Sequence, residues 1–241
     1  MEGPSLFILA EESQIFKGKK IIEATGYKLE DNDFLVGLTV NDFKTWGKHF
    51  IISFKKFSLR IHYGLFGGYR INDPKPGRNS ALTLTFNNGT LDNYICNINI
   101  IEQPLDEVYD WRLDMLSEKW DAKFVKKKVL ELPADKQIGD ILLNADIFSG
   151  VGNIIRNEVL YRVKLHPESL LGNIPSAKLM AMIKQTRTYS LDFLKWTRTN
   201  ELSKHWEVYA KKVCPAGHEI EKKVTGKTKR NSFVCECMVK Y

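Results

Sequence analysis

Cys214, His218, Cys235 and Cys237 offer three thiols and one imidazole in two close pairs, separated by the sixteen residues from Glu219 to Val234. Structural Zn²⁺ takes such donors at the corners of a tetrahedron, and a segment this short cannot bury a core of its own. The spacing therefore predicts a metal-closed hairpin, although Cys235-Glu-Cys237 is tighter than the usual pair with two intervening residues. The plainer alternative makes the cysteines buried thiols and His218 a surface residue; the clustering of all four donors in the last 28 residues favours metal. Lys222, Lys223, Lys227, Lys229 and Arg230 lie between the two pairs, where a rigid hairpin can aim them at a polyanion.

A second local pattern is Ser149-Gly150-Val151-Gly152-Asn153, between two helix-like stretches. Free N–H groups and the helix dipole at a helix opening attract anions, and Gly152 leaves room for a phosphate to approach. The competing reading makes Asn153 a cap and the glycines turn formers.

These residues need a scaffold, and the hydrophobic pattern supplies one. Pro4 to Phe16 reads as one short amphipathic helix. Residues rich in β-branched and aromatic types predict strands over Ile21–Tyr27, Phe34–Val40, His49–Phe54, Ser58–Tyr63, Ala81–Phe86 and Thr90–Ile101, with a hairpin turn at Asn87-Asn88-Gly89 that uses positive φ. After Gln103-Pro104 the period becomes 3.6, predicting helices over Asp121–Glu131, Ala134–Leu143, Asn153–Val163 and Pro175–Thr197. The fold class expected is α+β: an N-terminal β-sandwich over residues 1–104, a linker over 105–120, a helical domain over 121–204 and the metal hairpin over 205–241.

Composition narrows the class further. The chain has 241 residues and a net charge of +7, which suits a polyanionic partner because Lys and Arg that neutralise phosphates release counterions. Lys126-Lys127-Lys128 reads equally well as a solvated helix face. No apolar run approaches the ~20 residues of a membrane span, and the acidic Glu2, Glu11 and Glu12 are unlike a signal peptide. A cytoplasmic, nucleoid-associated monomer is expected. Cys96 stands alone in a strand-like run and is expected in the core.

Four segments in the right order resemble the formamidopyrimidine-DNA glycosylase and endonuclease VIII family. Met1-Glu2-Gly3-Pro4-Ser5 is similar to that family's mature N-terminus, and Trp46-Gly47-Lys48-His49-Phe50 to its Gly-Lys hairpin. Residues 142–162 resemble its helix-two-turn-helix, and Lys227 to Cys235 its zinc-hairpin strand. The resemblance implies a two-sheet β-sandwich, a helix-two-turn-helix domain and a zinc hairpin, acting on double-stranded DNA that contains damaged bases or abasic sites. It implies that the amine of residue 1 attacks C1′ of a damaged nucleotide, with Glu2 as general acid and base and Lys48 holding phosphate and assisting proton transfer. Asn153 and Arg230 would then bind phosphates, Glu158 would brace a loop, and Leu65 would fill the gap left by an extruded base. Trp46–Phe50 and Lys227–Arg230 look more like the endonuclease VIII branch, which implies oxidised pyrimidines as substrates.

Two positions depart from the family pattern. Met1 stands where the family carries a catalytic proline, and Glu2 behind it should block methionine removal, leaving a primary amine as the nucleophile. Ser5 replaces the family's second glutamate. These departures keep open a second class, a protein of the same fold that binds damage or abasic sites without turnover.

Overall fold

Two four-stranded antiparallel sheets wrap one apolar core in the first half of the chain. The computed structural model describes residues 1–241 and divides into two units, Met1 with Ser5–Tyr109, and Glu2–Pro4 with Asp110–Tyr241. Helix α1 spans Gly3–Glu12 and continues as a 3₁₀ turn over Ser13–Phe16. The strands are β1 (Glu23–Thr25), β2 (Asp42–Trp46), β3 (His49–Ser53), β4 (Ser58–His62), β5 (Gly68–Ile71), β6 (Leu82–Phe86), β7 (Gly89–Tyr94) and β8 (Asn97–Ile101), followed by the short helix α2 (Leu105–Val108). One sheet runs β1-β6-β7-β5 and the other β2-β3-β4-β8. Alternation places Leu82, Leu84 and Phe86 inward from β6, where they join Leu6, Leu9, Phe16, Phe50 and Leu59 in a single cluster drawn from both sheets and α1.

Several sequence expectations change here. Phe34–Val40 is not a strand: Asp33–Leu35 forms a 3₁₀ turn, and the rest of the segment pairs with residues 18–21 through backbone bonds around the isolated Lys20–Thr39 bridge. Thr90–Ile101 breaks into β7 and β8 because Ile95 adopts φ 48°, which turns the chain and sends the halves to different sheets. Strands β2 and β5 were not anticipated, since Asp42 and Lys44 interrupt one and Gly68 opens the other. At the β6–β7 turn only Gly89 has positive φ; a Cβ there would fall 1.8 Å from Asn72 Oδ1, which accepts from Thr90 N at 2.8 Å. Cys96 is buried as expected, and burial pushes its thiol up to about 11.

The second unit contains α3 (Ala122–Leu130), α4 (Ile138–Ile141), α5 (Asn153–Arg162), α6 (Ser176–Arg198) and the hairpin of β9 (Glu221–Thr225) and β10 (Arg230–Val234). The helix expected over Ala134–Leu143 shrinks to one turn, α4. Pro175 precedes the first residue of α6, a place where a missing N–H costs nothing. Leu179, Met182, Ile183 and Leu194 form its buried stripe, whereas Leu191 is 43% exposed. Phe233, Val234, Cys235 and Met238 from the hairpin region share one core with α5 and α6, so hairpin and helices pack as a single body. No helix is long and apolar enough to cross a membrane.

Candidate nucleic-acid interface and metal centre

Helix α5 organises the polar chemistry of the second unit. Ile155 through Tyr161 are all buried, among them Arg156, Asn157 and Glu158. Amphipathic periodicity fails in such a helix, and its polar residues must find internal partners. Arg156 donates from Nε to Gly139 O at 2.9 Å and from Nη2 to Thr225 Oγ1 at 2.8 Å and Ser232 Oγ at 2.7 Å. Asn157 accepts from Phe233 N at 2.9 Å. These bonds lock α5 to both hairpin strands, and burial draws Arg156 down to about 10 without discharging it at neutral pH. Glu158 accepts from the backbone N–H groups of Glu207, Val208 and Tyr209 at 2.8–3.0 Å, so it does brace a loop.

The anion seat at the start of α5 is already filled from within the chain. Glu2 Oε1 accepts from Ile154 N at 2.7 Å, and Oε2 from Gly152 N and Ile155 N, each at 3.2 Å. A Cβ on Gly152 would lie 2.4 Å from Glu2 Cδ, so only glycine admits the carboxylate. This corrects the reading of Gly152 as a phosphate seat: its N–H and its open space serve Glu2. Glu2 is 8% exposed, and Gly3 N donates to Gly150 O at 2.9 Å, which fixes the backbone next to it. Asn153 donates from Nδ2 to Asn231 O at 3.0 Å and accepts from Arg156 Nη1 at 3.1 Å, so its side chain also ties helix to hairpin.

The hairpin turn is held by a residue that the sequence pattern did not mark. Asp140 accepts from Lys227 N at 2.8 Å and Thr228 Oγ1 at 2.7 Å, close against Gly226, whose φ is +72°. Lys227, Lys229 and Arg230 are exposed on this braced turn, with Arg230 opening β10 opposite Thr225. Lys223 is different: it pairs with Glu168 at 3.5 Å and is not available as expected. Lys126 is likewise engaged, donating to Ser176 Oγ at 2.6 Å, and Lys128 pairs with Glu131 at 2.8 Å.

Below the hairpin, the donor atoms of Cys214, His218 and Cys237 lie within 4.8 Å of one another. His218 Nδ1 is 3.1 Å from Cys237 Sγ and 3.7 Å from Cys214 Sγ. Cys235 stands outside that group of three, but its thiol interacts with both Cys214 and Cys237. Burial, then these two sulfurs, pushes Cys235 up to about 12 against the relief given by the Cys237 N–H. Burial would also raise Cys214, yet the N–H groups of His218 and Ala216 outweigh it and bring that thiol down to about 6. Cys214, His218 and Cys237 could hold a metal ion, with the Cys235 thiol beside them as a fourth donor.

In the first unit, Trp46 and His49 pair across the two-residue turn Gly47-Lys48 that joins β2 to β3. Gly47 has φ +56°, the conformation that the first turn position of a tight hairpin demands, and Lys48 is thereby presented at its tip. Trp46 stacks on Tyr109 with centroids 4.9 Å apart, and His49 lies 5.7 Å from each ring. Burial, with help from Arg60 and His62, lowers His49 to about 4. His62 is also lowered, first by burial and then by Lys48, the Met1 amine and Arg60. The Met1 side chain packs against the sandwich core. Leu65 is 66% exposed in the loop between β4 and β5, and Phe66 beside it is 81% exposed.

The comparisons agree with this architecture. A family profile described as the formamidopyrimidine-DNA glycosylase H2TH domain matches residues 112–190, which include α3 to α5 and most of α6. Endonuclease 8-like 2 of Mus musculus is 32% identical over 181 residues, covering 70% of this chain and 53% of that protein. Endonuclease 8-like 3 of Mus musculus is 28% identical over 212 residues, covering 83% of this chain and 34% of that protein. The chain thus spans about half the length of the first relative and a third of the second. Among solved structures, the Lactococcus lactis formamidopyrimidine-DNA glycosylase bound non-covalently to DNA containing an AP site superposes with TM-score 0.86 at 23% identity, covering 100% of both chains. A viral DNA glycosylase superposes with TM-score 0.86 at 19% identity, over 99% of this chain and 100% of the other. With two sheets, a helical unit bearing the H2TH match and a Cys/His hairpin in one order along the sequence, the chain belongs to the formamidopyrimidine-DNA glycosylase and endonuclease VIII family.

Proposed function

We propose that this chain is a DNA glycosylase of base excision repair that also cleaves abasic sites, removing oxidised bases, pyrimidines above all, through a Schiff base on the Met1 amine. The observation that carries the reading is the seating of Glu2. One peptide bond from residue 1, its carboxylate is clamped by three N–H groups at the start of α5, in space that only a glycine at position 152 leaves. A carboxylate so immobilised is suited to proton transfer, because its orientation is set before substrate arrives.

The chemistry follows from these groups. An α-amino group ordinarily titrates at about 7.7–8.0, well below a lysine, so a terminal amine as a class offers a usable neutral fraction at physiological pH. The nitrogen forms a bond to C1′ as the glycosidic bond breaks and the base departs with its electron pair, to be protonated. Glu2 protonates the ring oxygen as the sugar opens, leaving an iminium. Loss of a C2′ proton then expels the 3′ phosphate. Lys48, at its hairpin tip, and Arg230, on the braced turn, are assigned to phosphates. Leu65 is assigned to the space vacated by the extruded base, where an exposed apolar side chain offsets lost stacking.

Zinc fits the donor set of Cys214, His218, Cys235 and Cys237. Bound there, it would act structurally, closing the segment that carries Arg230.

Borohydride reduction tests the proposal. Incubation with DNA containing an abasic site or thymine glycol should yield a covalent adduct, and reductive methylation of the terminal amine should abolish it. Intact-mass measurement should find an unmodified Met1. Binding to such DNA with no adduct across a panel of lesions would instead support a damage-binding protein, the reading favoured by Ser5 and the missing proline.

A further inference from the structure

A cavity of about 560 Å³ lies in the first unit, lined by Met1, Glu12, Gly68, Tyr69, Arg70 and Ile71. Its volume falls within the range of small-ligand sites. Residue 1 is part of the wall. If its amine attacks C1′, the departing base is tied to that same carbon and must lie within one ring's reach of Met1. The cavity has residue 1 in its wall and so meets the condition.

The polar groups of the wall are ordered. Tyr69 donates its hydroxyl to Glu12 Oε2 at 3.0 Å. Burial and the Glu12 carboxylate raise Tyr69 far above the ordinary phenol range, so it remains a donor to Glu12. Arg70 donates from Nη1 to Tyr69 O at 3.3 Å and pairs through Nε with Asp73 Oδ2 at 3.9 Å, which leaves its Nη2 group for a ligand. β5 is the edge strand of its sheet, so one side of its backbone has no strand neighbour. At Gly68 the nearest atom to a notional Cβ is Lys75 Nζ at 3.7 Å, which leaves the rim open.

Resting on the glycosylase reading above, we infer that this cavity receives the extruded base and selects for an imide edge, with Glu12 accepting the base N3–H and Arg70 donating to an adjacent carbonyl. Oxidised uracil- and thymine-type bases present that edge. Oxidised cytosines present a bare N3 lone pair, which would face the Glu12 carboxylate acceptor to acceptor. A site built to hydrogen-bond one edge rejects the analogue lacking it, because its own polar groups go unpaired. The Glu12–Tyr69 pair therefore acts as the specificity filter of the reaction, while the Met1 side chain closes one wall.

The test uses a pair of lesions of equal size, 5-hydroxyuracil and 5-hydroxycytosine, in otherwise identical duplexes, under single-turnover conditions. Abasic-site DNA, which carries no base to recognise, provides the reference through borohydride trapping. Wild-type protein should excise 5-hydroxyuracil faster than 5-hydroxycytosine by about tenfold or more. Glu12→Gln should cut the ratio of 5-hydroxyuracil excision to abasic-site trapping by about tenfold and bring the two lesions within about threefold of each other, since an amide can donate as well as accept. Tyr69→Phe, which frees the carboxylate, should produce a smaller change in the same direction. Glu12→Gln with the wild-type ratio and the wild-type lesion order would overturn the subsite while leaving the glycosylase reading intact. Wild-type protein that traps no abasic DNA would overturn both.

Discussion

At the scale of single residues, Gly152 separates stability from function more cleanly than any other position. Alanine there is compatible with its φ of −120°, but the new Cβ would lie 2.4 Å from Glu2 Cδ, so the clamped carboxylate would have to leave its seat. The carboxylate is displaced and the fold is not. Gly152→Ala should cost about 1 kcal/mol of stability, the worth of one lost helix cap, while adduct formation on abasic DNA falls by about tenfold or more, the scale of a lost acid–base group. Adduct yield at wild-type level in that variant would show that Glu2 does not need this seat. His49 carries a different residue-scale expectation. Its folded pKa of about 4 lies below the ordinary 6.5, and its Nδ1 is buried without a hydrogen-bond partner. The unfolded chain therefore takes up a proton that the folded one refuses. This contribution to stability is whole above pH 6.5 and is lost progressively as pH falls towards 4. Thermal melts between pH 7 and 4.5 should show a steeper decline for wild type than for His49→Gln, and equal slopes would remove His49 as a cause.

At the scale of elements, the hairpin and α5 stand or fall together. Arg156, Asn157 and Asp140 attach β9 and β10 to the helices, while the Cys/His group ties the chain below them. If zinc occupies that group, elemental analysis should find one ion per chain, and Cys237→Ser should lose most of it because one of three tightly grouped donors is gone. Chelation should lower DNA affinity and the melting temperature together, since Phe233, Val234 and Cys235 belong to the same core as α5 and α6. Undiminished zinc in Cys237→Ser would assign the ligand set wrongly. The sequence disclosed this element because its signals are local: donor spacing, a basic turn and glycines between two helical periods. It did not disclose what fills the start of α5, because Glu2 and Gly152 are 150 positions apart and nothing in either neighbourhood points to the other. Arg156 and Asn157 were invisible to periodicity for a related reason, since α5 is buried all round and its polar residues face protein instead of water. Strands β2 and β5 were missed where charged residues or glycine mask a period of two, and Ile95 divided an apolar run that looked continuous.

For the molecule as a whole, the quantity that the proposed function puts to the test is how a net charge of +7 and uncharged recognition would divide the work of binding DNA. Phosphate contacts by Lys48, Arg230 and exposed hairpin lysines would act on any duplex, damaged or intact, and each neutralised phosphate adds about −0.9 to the slope of log affinity against log salt. With roughly four to seven such contacts, a slope near −4 to −6 is expected for both kinds of DNA. Selection of a lesion would rest on different terms: an apolar loop tip at Leu65 and Phe66, and hydrogen bonds to a base that carries no phosphate. Affinity for intact and lesion-bearing duplex should therefore fall in parallel as salt rises, with their ratio nearly constant between 50 and 200 mM, a range over which such contacts weaken binding by about 10³-fold. Fluorescence anisotropy titrations on the two duplexes at four salt concentrations measure both slopes. A preference for damage that collapses with added salt would mean that recognition is electrostatic, a response to the flexibility or exposed phosphates of the lesion site, and would move the origin of selectivity from the base to the backbone.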